Sequence, residues 1–251
     1  MKRIVLSEKA LYRGSLILVN KKSPFRDDIC NVPLVPLDEE KDAVLMERQS
    51  AGLLNKLIEE TNAKDRIIAV SGWRSKAEQA DIYEQSIKKN GRKFTQKYVA
   101  FPGCSEHHTG LAVDLAENRT EIDFIRPDFP YEGICGNFRG KAAMFGFVER
   151  YPRGKEKITG IAWEPWHFRY VGIPHALIMR QREMVFEEYH QFLREHEYSL
   201  NPYVCAYGQR NAEISYLRAA EHGDTFMEID ENALFTVSGN NTDGFIITVW
   251  R

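Results

Sequence analysis

Nowhere in the 251 residues is there an apolar run long enough to cross a bilayer as a helix, which takes about 20 residues. The opening segment, Met1-Lys2-Arg3-Ile4-Val5-Leu6-Ser7-Glu8-Lys9, has basic residues but no sustained apolar core, so neither a signal peptide nor an anchor is expected. Cysteine is sparse: Cys30, Cys104, Cys135 and Cys205 stand far apart, with no CxxC pair and no dense framework. Reduced thiols in a cytoplasmic protein are therefore expected. An excess of charge of one sign is also missing. Lys and Arg number 34 against 36 Asp and Glu, a formal net charge of -2, which gives no reason to expect nucleic acid or an anionic membrane as partner. No feature of the chain speaks to oligomeric state.

What is present is ordinary globular material, 43% apolar and 28% charged, in a chain long enough to bury a real core. The patterning predicts a first strand over 14–20, an extended Pro-containing loop over 23–37, and a helix opening at Asp38-Glu39-Glu40 and running to about Thr61. Arg66–Val70 reads as a buried strand. It leads through Ser71-Gly72-Trp73-Arg74-Ser75 into a helix closed by Lys88-Lys89-Asn90-Gly91. Leu111–Leu115 and Phe147–Tyr151 read as strands, and 158–163 as a strand running back in a hairpin that delivers Glu164 and His167. One helix is predicted from Pro174 to about His196. From residue 201 the character changes: a helix-like stretch at 211–220 precedes three strand-like runs separated by turn formers. The division expected is a domain over 1–200 and a small β-rich appendage over 201–251.

The chemistry concentrates in Ser105-Glu106-His107-His108-Thr109-Gly110-Leu111-Ala112-Val113-Asp114 and in Glu164-Pro165-Trp166-His167. One histidine of the adjacent pair, Asp114 and His167 make a His₂Asp set, the N/O ligand group a catalytic zinc uses while keeping one position open. Only one of the two adjacent histidines is counted, because neighbours on an extended segment point apart. Glu164, three residues before His167, stands where a base for a metal-activated water belongs. Arg74 follows a buried strand, a rigid place from which to aim a guanidinium. Trp163 and Trp166 flank Glu164 and suit either an apolar wall for a substrate or core packing. Cys104 adjoins the motif and reads as a bystander rather than a ligand.

At these motifs the chain resembles the zinc D-alanyl-D-alanine carboxypeptidases and dipeptidases, the VanY/VanX-like family, and in particular its soluble VanXY type of vancomycin-resistance enzyme. The resemblance runs from about Leu18 to His196. It rests on Leu18-Val19-Asn20-Lys21, Ser71-Gly72-Trp73-Arg74-Ser75, the Ser-x-His-x-x-Gly-x-x-x-Asp pattern at 105–114, Gly146–Pro152 and Ile158–Gly172, in that order. It implies an α+β fold, a small antiparallel sheet with helices packed around a zinc cleft. It implies that His107, Asp114 and His167 hold one zinc ion per chain, that Glu164 is the catalytic base and that Arg74 stabilises the transition state. It also implies a substrate role for Ser105, Gln79 and Tyr83. The residues after 200 lie outside it.

The activity so implied is hydrolysis of the D-Ala-D-Ala dipeptide and of the terminal D-Ala of peptidoglycan precursors, associated with vancomycin resistance. A precursor-processing enzyme of the cytoplasm meets both compounds, and the hairpin over 149–163 is expected to act as a wall that tolerates either. Two alternatives are weighed against it. A phage-type peptidoglycan-lytic zinc peptidase would be expected to carry a basic or aromatic-repeat wall-binding appendage, and residues 201–251 have neither. A non-catalytic zinc-binding module of the same fold would have no use for Glu164 and Arg74.

Overall fold

The computed structural model describes residues 1–28, 32–37 and 44–251. Strands are β1 (Lys2–Leu6), β2 (Leu34–Pro36), β3 (Leu45–Glu47), β4 (Ile67–Ser71), β5 (Ala112–Glu117), β6 (Phe147–Tyr151), β7 (Glu164–Tyr170), β8 (Tyr203–Tyr207), β9 (Arg210–Arg218), β10 (Thr225–Ile229), β11 (Leu234–Gly239) and β12 (Gly244–Trp250). Helices are α1 (Arg48–Glu60), α2 (Lys76–Asn90), α3 (Arg92–Tyr98), α4 (Gly133–Ala142), α5 (Glu156–Thr159), α6 (His175–Gln181) and α7 (Phe186–Leu193). The fold is mixed, with small antiparallel sheets and helices, as expected. Among the described residues no helix is long and apolar enough to cross a membrane.

The chain forms two compact units. One holds Met1–Val19, Asp28–Cys30 and Phe186–Arg251; the other holds Asn20–Asp27 and Asn31–Val185. This differs from the division at residue 200 expected from the sequence, because β1 pairs with β10 in register, Lys2 opposite Ile229 and Leu6 opposite Thr225. The first unit also contains the sheet β11-β12-β9-β8. Its apolar cluster includes Leu6, Leu11, Met227, Ile229, Phe245, Ile247 and Val249.

The second unit is built on the antiparallel sheet β4-β5-β7-β6. Alternation divides the two faces. Val113, Leu115, Phe147, Phe168 and Tyr170 point into a core completed by Leu54 and Leu57 of α1 and by Ile134, Phe138 and Ala142 of α4. Phe129, Phe138 and Phe168 meet edge to face, with ring centroids 5.3–5.7 Å apart. Truncating a ring as buried as Phe168 costs about 3–5 kcal/mol. The opposite face carries Ala112 and Asp114 of β5 beside Arg169 and His167 of β7, and Val148 of β6 beside Arg169. One face therefore holds the sheet in place and the other is left for polar chemistry.

α2 forms as the sequence predicts. Ser75 caps it, its hydroxyl accepting from the Glu78 amide while the Glu78 carboxylate accepts from the Ser75 amide, and Lys88 and Lys89 sit in the last turn. Other segments depart from expectation. Residues 14–20 form no strand, although Leu16 to Val19 are buried. The helix start expected at Asp38-Glu39-Glu40 lies outside the described residues; α1 itself begins after Glu47, whose carboxylate caps the Gln49 and Ser50 amides. The helix expected from Pro174 is two helices, α6 and α7. Most of the stretch 211–220 belongs to a strand, β9: Ala212, Ile214 and Tyr216 alternate toward a buried face, and the period is two rather than 3.6. Residues 158–163 are not a strand. α5 occupies 156–159 and Gly160, with φ of 74°, ends it.

Candidate active site

The site is carried on the polar face of the second unit. The segment 105–110 is a single 3-10 turn, Glu106–Thr109, capped by the Ser105 hydroxyl, which accepts from the His107 amide at 3.4 Å. Gly110 ends the turn in the left-handed region, φ 68°, and a Cβ there would stand 2.9 Å from Leu34 Cδ2. This turn throws His107 and His108 to different sides. His108 accepts the Gly103 amide on Nε2 and donates from Nδ1 to the Arg74 carbonyl at 2.8 Å, so it braces the loop before α2. His107 donates from Nδ1 to the Gly72 carbonyl at 2.6 Å, which leaves Nε2 facing Asp114 Oδ2 at 3.1 Å. Gly72 itself is held against β3, where a Cβ on it would lie 2.3 Å from the Leu45 carbonyl oxygen.

Asp114 stands directly opposite His167 across β5 and β7. Its Oδ1 is 2.9 Å from His167 Nδ1. The rings of His107 and His167 are edge to face, 4.9 Å apart. One donor atom from each of His107, Asp114 and His167 falls within 4.8 Å of the others, and all three residues are buried. In an unbroken strand Glu164 and His167 would point to opposite faces. A register shift on β6 prevents this: Glu149 is opposite Phe168 but Tyr151 is opposite Glu164. The extra length on β7 turns Glu164 inward, with Oε2 4.0 Å from His167 Nδ1.

Electrostatics follow from burial. Loss of water, and the Arg74 charge, hold His107 down at about 4, so the ring is neutral and presents a lone pair at ordinary pH. Burial alone would lift Asp114, but His107 and His167 outweigh it and keep the carboxylate well below its usual range. Burial pulls His167 down, but the Asp114 carboxylate bonded to its Nδ1 and the nearby Glu106 and Glu164 carboxylates outweigh it and push it up to about 9. Burial pushes Glu164 up to about 8, against the pull of His167. Two buried imidazoles and a carboxylate converging on one point fit a zinc-type N/O set, in which a bound metal would take the place of the extra proton on His167. A carboxyl lifted toward neutral pH beside them fits a proton carrier.

These groups line a cavity of about 390 Å³ together with Arg74, Gln79, Ser105, Tyr151, Ile161 and Trp166. Arg74 Nη2 lies 3.4 Å from Asp114 Oδ2 and Nη1 donates to Gln79 Oε1 at 2.8 Å. Two residues expected in the site are elsewhere. Tyr83 does not line the cavity; it packs edge to face on Phe101, 5.6 Å away. The cavity face of α2 is Gln79, Ile82, Gln85, Ser86 and Lys89, and Tyr83 falls beside it. Trp163 also stays outside. It stacks on Tyr131, donates from Nε1 to the Tyr131 hydroxyl at 3.1 Å, and lies beneath the Arg153 guanidinium. Trp166 is buried against the cavity and the core at once. Cys104 is a free, partly buried thiol outside the lining.

A model of the VanY family, described as D-alanyl-D-alanine carboxypeptidase, matches residues 43–173, just over half of the chain and all of the site. The chain belongs to this family. Within it, the chain is 37% identical over 183 residues to the bifunctional D-Ala-D-Ala dipeptidase and D-Ala-D-Ala carboxypeptidase VanXYC of Enterococcus gallinarum, covering 72% of this chain and 96% of that one. Its structure matches that of the vancomycin-resistance D,D-dipeptidase VanXYg in complex with a D-Ala-D-Ala phosphinate analog, with a TM-score of 0.96 at 48% identity over 100% of this chain and 99% of the other. It also matches a VanY D,D-pentapeptidase mutant from a VanB-type vancomycin-resistance cassette in complex with Zn(II), with a TM-score of 0.56 at 29% identity over 70% of this chain and 98% of the other. The VanY relatives are hydrolases, and this member carries a His-Asp-His cluster able to hold a metal ion.

Sequence reasoning missed two groups. Tyr151, whose ring lies 4.9 Å from that of His167, belongs to the Gly146–Pro152 motif but has no role that the sequence alone assigns. Glu106, between Ser105 and His107, is fully buried. Two arginines inside strands that otherwise read as buried, Arg150 and Arg169, were the available sign that a carboxylate had to meet them.

Proposed function

We propose that this VanY-family chain is a zinc D,D-peptidase that releases D-alanine both from the D-Ala-D-Ala dipeptide and from peptidoglycan precursors ending in D-Ala-D-Ala, working in the cytoplasm as part of vancomycin resistance. The observation that carries the reading is the convergence of His107 Nε2, Asp114 and His167 Nδ1 on one point, with Glu164 4.0 Å from His167 and Arg74 3.4 Å from Asp114. Catalysis belongs to the second unit, which contains every one of these residues.

His107, Asp114 and His167 hold the zinc, whose positive charge makes water a better acid and a carbonyl a better electrophile. Glu164 takes the proton of the attacking water and passes it to the leaving amine nitrogen as the C–N bond breaks. Arg74 donates to the carbonyl oxygen as charge builds on it, and its planar fork is held in advance by Gln79. Ser105 contacts the substrate from the cavity edge. Trp166 and Ile161 supply the apolar wall that the small methyl side chains of D-alanine need. Tyr83 and Trp163 have no part in this reading.

The test is D-alanine release by the zinc-loaded protein from the free dipeptide and from a precursor pentapeptide, in parallel. Release from both is the expected result. Release from the pentapeptide alone makes it a plain carboxypeptidase. No release from either makes it a binding module.

A further inference from the structure

Glu164 has a neighbour on each side in the chain, and both are tied to one carboxylate outside the cavity. Trp163, before it, donates from Nε1 to the Tyr131 hydroxyl at 3.1 Å, and that hydroxyl donates to Glu149 Oε1. Pro165, after it, accepts on its carbonyl from Arg139 Nη1 at 3.1 Å, and the same guanidinium nitrogen donates to Glu149 Oε2. The two oxygens of Glu149 thus serve the two sides of Glu164. Arg139 Nη2 also donates to the Phe129 carbonyl at 3.1 Å, and the guanidinium lies 4.0 Å from the centre of the Tyr131 ring. The Arg139 and Glu149 side chains are only 15% and 13% exposed, so this network is held away from water. None of Tyr131, Arg139 and Glu149 lines the active-site cavity.

We propose that Glu149, acting through Arg139 and Tyr131, is a positioning residue for Glu164. It locks the bulge of β7 from which Glu164 reaches the cavity.

Between the pairs Glu149–Phe168 and Tyr151–Glu164, two steps along β6 face four along β7. The extra residues leave the ladder, and a buried carbonyl that leaves it must find another donor. Pro165 brings no N–H, so its carbonyl is the one backbone group by which it can be held. Arg139 supplies the donor, and Glu149 fixes Arg139 by charge as well as by hydrogen bond. Without this clamp the bulge can relax toward a regular pleat, in which Glu164 and His167 fall on opposite faces. A misplacement of about 1 Å can cost on the order of 10²-fold in rate, so a group that never touches substrate can still control turnover.

The inference rests on the reading of Glu164 as the base, and its test separates the two. Tyr131→Phe and Arg139→Met are made alone and in the Glu164→Ala background, and D-alanine release from D-Ala-D-Ala is measured on the zinc-loaded protein. With Glu164 present, kcat is expected to fall about threefold in Tyr131→Phe and about tenfold or more in Arg139→Met, with KM and bound zinc unchanged. In the Glu164→Ala background the same substitutions are expected to cost nothing further, because the residue they place is gone. Equal losses in both backgrounds overturn the inference and reduce Glu149 and its partners to scaffold. Crystal structures decide independently of rate. In Arg139→Met the Glu164 carboxylate is expected to lie farther from His167 than in the parent, where the separation is 4.0 Å. An unmoved carboxylate overturns the inference, whereas full rates in Glu164→Ala end only the base reading. Tyr131 is 53% exposed, so Tyr131→Phe carries both measurements should Arg139→Met not fold.

Discussion

Gln79 Oε1 accepts a hydrogen bond from Arg74 Nη1 at 2.8 Å, while the Gln79 amide nitrogen donates to the Ala100 carbonyl at 2.9 Å. The guanidinium is thereby aimed from the first turns of the helix that follows it. Gln79→Ala is expected to lower kcat about tenfold or more with little change in KM, since a misplaced donor costs the transition state more than the ground state. Arg74→Ala should follow the same pattern with a larger loss, and neither should release metal. Steady-state kinetics decide: a pure KM effect in Gln79→Ala would make Gln79 a direct substrate contact instead.

His107→Ala, Asp114→Ala and His167→Ala should each lower the metal content of the purified protein, measured by elemental analysis. Two of the three cannot close the set, because Asp114 and His167 come from different strands and His107 from the turn before β5. Full occupancy in His107→Ala would remove that residue from the site.

Glu164→Ala should keep its zinc and lose turnover by about 10²–10⁴-fold, the usual worth of a positioned acid–base group. Bound metal and D-alanine release, measured on the same sample, report the two halves separately. Near-normal rates in a folded, metal-loaded variant would end the assignment.

His175 offers a pH test away from the metal. Burial holds its ring down at about 3, against an ordinary value of 6.5. The folded state thus binds this proton less readily than the unfolded state. The associated stability is complete above pH 6.5 and is lost progressively as the pH falls toward 3, by a few kcal/mol. In His175→Gln the decline of stability between pH 6 and pH 4, followed by denaturant melts, should be shallower than in the parent. Equal slopes would mean that His175 is not the group responsible.

Much of the site is legible in the sequence because its signals are local. Ser105 to Asp114 fit one turn and one strand, and the Ser75 capping box announces the helix behind Arg74. What the sequence hides is geometry that depends on another segment. Gln79 and Tyr83 look equivalent by helical spacing, and only the placement of the cavity against α2 separates them. Trp163 and Trp166 look like a pair around Glu164, yet a partner 32 residues away, Tyr131, takes Trp163 out of the site. Glu106 carries no reading of its own in the sequence, because its partners Arg150 and Arg169 come from β6 and β7. The strand at 210–218 is legible after all, since Ala212, Ile214 and Tyr216 alternate with Asn211, Glu213 and Ser215, a period of two that a helical reading overlooks.

The direct pairing of Asp114 with His167 has a consequence for how this chain can change. Two ligands that face each other across a ladder are placed by strand register, not by the number of residues that separate them. The intervening 52 residues can therefore gain or lose length, for instance in the exposed run 118–121, without displacing either ligand. The seven-residue step from His107 to Asp114 has no such freedom, since one added residue would move Asp114 to the wrong side of the sheet. Lineages of this scaffold should vary in length at the first place and stay fixed at the second, and grafted loops should be tolerated accordingly.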